Sequence, residues 1–299
     1  MDLLSDAIAA VRIGQPTSNR LCAGTSWCYR FAPYDGAGFH VLLRGSGWLV
    51  PDEGEPVPLG AGDAVLVPHG SAHTLSATPD AAGAVPFETA VPEPGGRTEF
   101  LCGKYRLDHT RRHPVLAGLP EVVHLPAGVG RHPGLRAAID LLGAEVAERR
   151  PGRATALAGL LDLLLVLLIR AWLDGHPDAG WPQALRDREI AAALAELHAN
   201  PAASWRIEDL AARVGLSRAT LARRFTALTG QPPMAYLTWW RLTTAARLLL
   251  DTDLPLPSIA AKAGYGSPFA FSHAFKRQFG VAPGGYRAAR TPAVPSSSA

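Results

Sequence analysis

Near the C-terminus, one pattern of apolar and polar positions occurs twice, displaced by fifty residues. The residues Ser217, Leu221, Phe225, Gly230, Pro233 and Tyr236 recur as Ser267, Phe271, Phe275, Gly280, Pro283 and Tyr286. Each copy has the features of a short helix, a glycine turn and a second helix that begins at a capping serine. In that second helix the apolar residues stand four apart, which buries one stripe and exposes the polar residues between them. The pattern predicts two helix-turn-helix units, at about 208–226 and 257–279.

The first half of the chain has a different pattern. Short apolar runs such as Phe39–Leu43, Gly47–Val50, Ala64–Pro68 and Thr98–Cys102 are separated by Gly, Pro and Asp. Runs of this length between turn-forming residues are typical of β-strands. We therefore expect β structure from about residue 21 to residue 125.

Two apolar helices are predicted between these regions. In the first, Leu135, Ile139, Leu142 and Val146 recur at helical spacing. The second, about Ala154–Leu173, is apolar nearly all round, so it needs burial on several sides, and a homodimer interface would supply part of that burial. Because Asp162 and Arg170 interrupt it, we do not expect this helix to cross a membrane.

Charge is concentrated where the repeat lies. Residues 190–290 carry twelve Lys and Arg against five Asp and Glu, a balance of +7, whereas residues 1–189 have a balance of −4 within the total of +3. A basic helical domain indicates a polyanionic partner.

The segment from Trp205 to Arg287 resembles the DNA-binding domain of the AraC/XylS family of bacterial transcription regulators. The resemblance is carried by LAARVGLSRATLARRFTALTGQPPMAYL and IAAKAGYGSPFAFSHAFKRQFGVAPGGYR. It implies two helix-turn-helix units joined by a helix from about Met234 to Leu250, reading successive major grooves of double-stranded promoter DNA.

The same resemblance implies which side chains face DNA. In the first recognition helix they are Arg218, Ala219, Ala222 and Arg223. Arg223 is the leading candidate, because arginine can donate two hydrogen bonds to guanine. In the second they are Ser267, Pro268, Phe269, Ser272 and His273, with Lys276 and Arg277 expected at phosphate. Pro268 and Phe269 depart from family members that carry polar residues there, so we expect weaker or more shape-based reading by the second unit.

A second resemblance lies in the β region. The stretch GDAVLVPHGSAHTL is similar to the second signature of cupin β-barrels, and FHVLLRGSGWL to the end of the first. AraC-type regulators commonly carry such a barrel as an effector domain. The two closely spaced histidines and the glutamate of metal-binding cupins are missing from FAPYDGAGF. His40, His73 and Cys102 remain, either as ligands of zinc or as residues that line an effector pocket.

Together these features predict an α+β, multidomain fold. We expect a cupin-like β-barrel for effector sensing in residues 1–130 and a helical linker for dimerisation in 131–183. An all-α DNA-binding domain with two helix-turn-helix units should follow in 184–290, before a disordered tail in 291–299.

The predicted function is a non-enzymatic, homodimeric DNA-binding transcription regulator controlled by an unknown small molecule. RNA polymerase is a further expected partner, and activation and repression both stay open. Three cysteines without framework spacing suit a reducing compartment, so we expect the protein in the cytoplasm, at the nucleoid and not in a membrane. Two alternatives remain: a cupin-type metalloenzyme fused to a DNA-binding domain, and a constitutive DNA-binding protein whose barrel only mediates dimerisation.

Overall fold

The structure is a computed structural model that describes residues 3–107, 113–128, 132–148, 150–177 and 180–288. The predicted tail at 291–299 lies outside these residues. The described residues fall into two compact units: one within Val11–Pro177, the other within Met1–Ala10 and Asp178–Ala299. Sequence patterns had assigned residues 1–10 to the barrel and had begun the DNA-binding domain at 184.

The first unit contains the predicted β region. After helix α1 (Leu3–Val11), its strands are β1 (Arg12–Ala23), β2 (Cys28–Phe31), β3 (Gly36–Arg44), β4 (Ser46–Pro51), β5 (Val57–Gly60), β6 (Ala64–Val67), β7 (His73–Ser76), β8 (Val85–Pro86), β9 (Thr98–Leu107) and β10 (Val123–Leu125). A 3₁₀ turn follows β8 at Phe87–Thr89, and helix α2 is Pro114–Ala117. The described strands form two five-stranded sheets, in the orders β1-β9-β3-β6-β10 and β5-β4-β7-β2-β8.

One apolar core joins the inner faces of the two sheets. Leu21, Leu42, Val65 and Phe100 come from the first sheet, and Trp27, Tyr29, Leu49 and Leu75 from the second. These residues alternate with outward-facing ones along each strand, as the period of two requires. Strand register then determines which residues are neighbours. His40 pairs with Cys102 across β3 and β9, and Phe31 pairs with His73 across β2 and β7.

Two helices complete this unit, α3 (Pro133–Ala147) and α4 (Arg153–Gly175), and they pack on each other and on β1. Leu135, Ile139 and Leu142 are buried as predicted. Tyr105 donates a hydrogen bond from its hydroxyl to the Leu161 carbonyl at 2.5 Å, which fixes α4 on β9.

Helix α4 is long and apolar enough, by length and composition alone, to cross a membrane. The expectation that this helix does not cross a membrane, which rested on Asp162 and Arg170, is not tested by length and composition. The core helix of a soluble protein passes the same test. Asp162, in the middle of α4, pairs with Arg12 at 2.6 Å.

The second unit is helical. Its helices are α5 (Gly180–Arg186), α6 (Arg188–Ala199), α7 (Ile207–Arg213), α8 (Arg218–Thr229), α9 (Pro233–Asp251), α10 (Leu256–Lys262), α11 (Pro268–Phe279) and α12 (Pro283–Ala288). The repeat appears as α7–α8 and α10–α11, with α9 as the joining helix. Gly215 and Gly264 make the two turns at φ of 72° and 74°, a region that favours glycine.

Each helix-turn-helix unit has its own core. Phe225 and Tyr236 are fully buried in the first, and Phe271 and Phe275 in the second. Helix α5 extends the first core because Trp181 is buried and the helix packs on α8. For this reason the helical unit begins before residue 184, inside the segment that sequence patterns had assigned to the linker.

Helix α1 belongs to this unit through a buried polar network. His198 Nδ1 lies 3.0 Å from Asp6 Oδ2, and His198 Nε2 lies 2.6 Å from the Tyr236 hydroxyl. The imidazole also stacks on Trp240, with ring centroids 3.9 Å apart. Burial lowers the pKa of His198, and Asp6 opposes that shift.

Candidate nucleic-acid interface and barrel cavity

The first recognition helix, α8, presents the predicted residues on one face. Ser217 caps it, because its hydroxyl accepts a hydrogen bond from the Thr220 amide at 3.2 Å. Leu221 and Phe225 are fully buried on the opposite side. The outward residues Arg218, Ala219 and Arg223 are exposed, and Ala222 is half-buried.

The three arginines of α8 have different surroundings. Arg218 lies 3.2 Å from Glu208, and both side chains are largely exposed. Arg224 contacts Asp187 at 2.5 Å and Glu189 at 3.2 Å, which ties α8 to the start of α6. Arg223 is exposed and forms no ion pair with any described residue. Arg223 is therefore the arginine of this helix with its guanidinium available to a partner.

The second recognition helix, α11, begins in the same way. Ser267 accepts from the Ala270 amide at 3.2 Å, and Pro268 occupies the first turn, where its missing N–H costs nothing. Phe269 is 83% exposed, the most exposed large apolar side chain of the described residues. His273, Lys276 and Arg277 are exposed on the same helix, and Ser272 is half-buried. The outward face is thus apolar at its start and basic at its end.

The barrel contains a cavity of about 490 Å³. Three buried residues, His40, His73 and Cys102, line it, as do Phe31 and Phe87. Tyr34, Gly38 and Lys104 also line it, and of these three only Lys104 is exposed. His40, His73 and Cys102 are far apart in sequence and meet here because they lie on β3, β7 and β9.

The three predicted pocket residues form a chain of hydrogen bonds. His40 Nδ1 lies 2.8 Å from Cys102 Sγ, and His40 Nε2 lies 2.7 Å from His73 Nε2. His73 Nδ1 lies 2.7 Å from the Ser71 carbonyl, which can only accept, so this nitrogen carries the proton. It follows that His40 donates from Nε2 to His73 and accepts at Nδ1 from the Cys102 thiol. We call Cys102, His40 and His73 the relay.

Every member of the relay is neutral at physiological pH. Burial lowers the pKa of His73 to about 4 and that of His40 well below its ordinary value. Burial also raises the pKa of the Cys102 thiol well above its ordinary value. A cysteine nucleophile needs a thiolate, which an adjacent imidazolium stabilises. In the relay Cys102 contacts His40, but the pair is a neutral thiol and a neutral imidazole, not a thiolate and an imidazolium.

The relay does not fit the predicted zinc site. Cys102 and His73 lie at opposite ring nitrogens of His40. A single metal ion binds only one nitrogen of an imidazole, so the three side chains cannot all reach one ion in this arrangement. Across the described ranges, no group of three His, Cys, Asp or Glu side chains is arranged to hold a metal ion. Of the two roles predicted for these residues, lining a pocket is the one that agrees with the geometry.

Sequence patterns missed the aromatic and cationic residues of the cavity. Phe31 stacks on His73 with centroids 5.0 Å apart and on Phe87 at 4.4 Å. The Lys104 ammonium lies 5.5 Å from the centroid of the Tyr34 ring. The position of Lys104, two residues after Cys102 on the same strand, was a signal for an inward side chain.

Comparison with known proteins extends over the whole chain. Residues 2–174 match the family described as Cupin, and residues 210–289 match the family described as Helix-turn-helix domain. A putative AraC-like transcription regulator of Streptomyces lividans is 37% identical over 298 residues, covering 96% of this chain and 98% of that protein. The chain belongs to the AraC-like transcription regulators.

Other transcription regulators are similar as well. The HTH-type transcriptional regulator MtrA of Neisseria gonorrhoeae is 30% identical over 300 residues, covering 96% of this chain and 98% of that one. A crystal structure of an AraC-type DNA-binding regulator from Chromobacterium violaceum covers 36% of this chain and 97% of its own, with 29% identity and a TM-score of 0.35.

Two predictions are confirmed by the domain matches and the fold. This AraC-like regulator has an α+β fold with an N-terminal cupin-like β domain and a C-terminal helical domain with two helix-turn-helix units. Its function is DNA-binding regulation of transcription, and double-stranded DNA is its partner.

Proposed function

We propose that this AraC-like regulator binds a small-molecule effector in its barrel cavity and binds promoter DNA as a homodimer. The cavity carries the proposal. Its volume of about 490 Å³ falls in the range of small-molecule sites, and its lining combines stacked aromatics with a few polar groups. The neutral relay rigidifies the inner end of this site, because each proton in it has one acceptor.

On the DNA, the exposed faces of α8 and α11 supply the contacts. Arg223 reads a base, with Arg218, Ala219 and Ala222 beside it. On α11, Ser267, Pro268, Phe269, Ser272 and His273 face the groove. Lys276 and Arg277 bind phosphate. The exposure of Phe269 supports an apolar contact there, for which a thymine methyl is the available base group.

Dimerisation is assigned to α3 and α4. Leu141 on α3 is 57% exposed and Leu163 on α4 is 45% exposed, and only a third of the most apolar part of α4 is buried within the chain. A surface of this kind on a regulator fits a second copy of the same helices. RNA polymerase is the further partner, and the protein acts in the cytoplasm at the nucleoid.

The two alternatives are less well supported. A cupin-type metalloenzyme needs ligands that converge on one metal ion, whereas Cys102 and His73 lie at opposite ring nitrogens of His40. A barrel that only mediated dimerisation would need no cavity lined by a relay and stacked aromatic rings.

Filling the cavity tests the proposal. A Cβ atom at Gly38 would lie 2.7 Å from the Tyr34 hydroxyl, whereas one at Gly60, on β5, would meet nothing closer than 3.9 Å. Compounds that raise the melting temperature of the full chain and change its affinity for operator DNA identify the effector. Gly38→Val should bind DNA but should show neither the rise in melting temperature nor the change in operator affinity. Gly60→Val should bind DNA and show both effects. An effector response that survives in Gly38→Val would refute the assignment of the site.

A further inference from the structure

The two helix-turn-helix units meet at a point beside the linking helix α9. Gly264, the turn residue of the second unit, lies against the backbone of Ala202, in the loop between α6 and α7. A Cβ atom at Gly264 would lie 2.9 Å from the Ala202 Cα and 3.1 Å from the Ala202 carbonyl oxygen. At Gly215, the turn residue of the first unit, a Cβ atom would have no neighbour within 4 Å. The close approach is therefore specific to the second turn and does not follow from the repeat.

Arg241, in the middle of α9, holds this loop in place. Its Nε donates to the Pro201 carbonyl at 2.6 Å, and its Nη2 donates to the Ala203 carbonyl at 2.7 Å. The two carbonyls flank Ala202, so the guanidinium fixes the segment that faces Gly264. Hydrogen bonds from a charged donor are roughly twice as strong as neutral ones, and a guanidinium presents its donors in a rigid fork.

The position of Arg241 is explained by these contacts and not by an ion pair. The side chain is half-buried and forms no ion pair within the described ranges. Burial lowers its pKa, and the nearby Tyr265 opposes that shift. Along α9, Arg241 stands between Trp240, which stacks on His198 in the first unit, and Leu242, which belongs to the core of the second. It therefore lies where the two cores adjoin.

Each side of this contact is connected to a recognition helix. On the first side, the Trp205 indole donates to the Asn200 carbonyl at 2.9 Å, and the Arg213 guanidinium of α7 lies 5.1 Å from the centroid of the Trp205 ring. Helix α7 packs on α8. On the second side, Tyr265 packs edge-on against Phe271 of α11, with ring centroids 5.5 Å apart. A displacement at the contact would therefore shift α8 relative to α11.

We propose that Arg241 is a positioning residue that fixes the spacing between the two DNA half-sites that this regulator accepts. We call the contacts of Arg241 and Gly264 with residues 201–203 the clamp. Helix α9 joins the two units by one connection, and the clamp adds a second connection beside it, which restricts rotation of one unit about the other. This inference rests on the proposed docking of both α8 and α11 on DNA.

DNA geometry makes such a restriction measurable. Each base pair added between two half-sites moves the second one by about 3.4 Å along the duplex and turns it by about 35°. Two units held in one orientation cannot follow that change without deforming the DNA, whereas two units hinged on α9 can. The clamp should therefore give this regulator a preference for one spacing that is separate from its preference for bases.

The test measures how strongly binding depends on half-site spacing. An operator for the full chain is selected from randomised DNA, and hydroxyl-radical cleavage locates the two patches that one chain protects. One base pair is then inserted or deleted between them. Either change should weaken wild-type binding by at least roughly tenfold in fluorescence anisotropy, because one patch is lost or the DNA is deformed.

Variants of Arg241 should lower this spacing penalty. Arg241→Met keeps the aliphatic stem and removes both donors, so the penalty should shrink to about threefold or less. Arg241→Lys keeps the charge but not the fork, and its penalty should be intermediate. Base preference within each patch should stay as in the wild type, because the clamp does not face the recognition surfaces. A mere loss of stability would not separate spacing from base preference in this way.

Two glycines provide a matched pair of controls. Alanine at Gly215 or at Gly264 has the same cost of a left-handed backbone, so both variants should be less stable than the wild type in urea. Only at Gly264 does the new Cβ also press on Ala202. Gly264→Ala should therefore lower the spacing penalty, and Gly215→Ala should keep it.

The outcomes separate this inference from the proposed function. A folded Arg241→Met protein with the full wild-type penalty, or equal penalties in the two glycine variants, would overturn the clamp and leave DNA recognition by both helices in place. If Arg241→Met does not fold, Arg241→Lys decides by the same criterion. A wild-type protein that protects one patch, or that tolerates either change of spacing, would overturn the docking of both helices and the clamp with it.

Discussion

Two adjacent arginines on α8 should have separable roles, and replacing each by alanine tests this. Arg223 is exposed and forms no ion pair with a described residue, so Arg223→Ala removes no contact that stabilises the fold. Surface changes of this kind alter the free energy of unfolding by less than about 0.5 kcal/mol. Loss of a bidentate contact to guanine should instead cost about 1–3 kcal/mol at one base pair.

Arg224→Ala should have the opposite effect. Its guanidinium contacts Asp187, which also caps α6 through the Ile190 amide, and Glu189. The Arg224 side chain is 34% exposed, so solvent screens the pair, and we expect a loss of about 0.5–1 kcal/mol in unfolding free energy. Base preference should stay as in the wild type.

The assay uses the full chain with an operator selected from randomised DNA. Fluorescence anisotropy against every single-base variant of that operator gives the preference at each position, and urea unfolding gives the stability. An Arg223→Ala protein with the wild-type preference at every position would show that α8 does not read DNA through Arg223. A change in base preference in Arg224→Ala would show that the ion pairs of Arg224 open when the protein binds DNA.

Four further predictions follow from the same contacts. Phe275→Ala should lower the unfolding free energy of the helical unit by about 3–5 kcal/mol in a urea titration, because Phe275 is fully buried between Phe271 and Tyr286; a loss below 1 kcal/mol would contradict the second core. Lys276→Ala should weaken binding to all DNA sequences alike and reduce the salt slope of log K by about 1; a change confined to one base pair would make it a base contact. The folded barrel holds His73 at a pKa of about 4, so the unfolded chain binds more protons below pH 6.5. Barrel stability should thus be complete above about pH 6.5 and fall toward pH 4, and His73→Asn should flatten this slope in unfolding curves recorded at each pH. Leu163→Glu should convert the proposed dimer to a monomer in sedimentation, and a dimer that persists would place the interface elsewhere.

The DNA-binding half of the fold was predictable from sequence because its signals are local. Helical periodicity, the caps Ser217 and Ser267 and the glycine turns act over four or five residues, so they appear as spacing in the chain. Helices α7 and α10 each begin one residue before the predicted starts of the two helix-turn-helix units, at 208 and 257. Helix α9 (Pro233–Asp251) closely matches the predicted linking helix. Exposure of a face also follows from spacing, so most residues predicted to face DNA are exposed on α8 and α11, while Ala222 and Ser272 are half-buried.

Contacts between distant segments were decided only by the tertiary structure. The relay depends on strand register, and a slip of one residue in β3 would turn His40 away from Cys102. The resemblance placed Arg223 at the DNA, but only the position of α6 shows that Arg224 is held in ion pairs. Helix α1 joins the helical unit because Asp6 reaches His198, nearly two hundred residues away. The sequence by itself determined which elements form and which faces are apolar, since these depend on neighbouring residues, whereas packing decided which polar side chains meet.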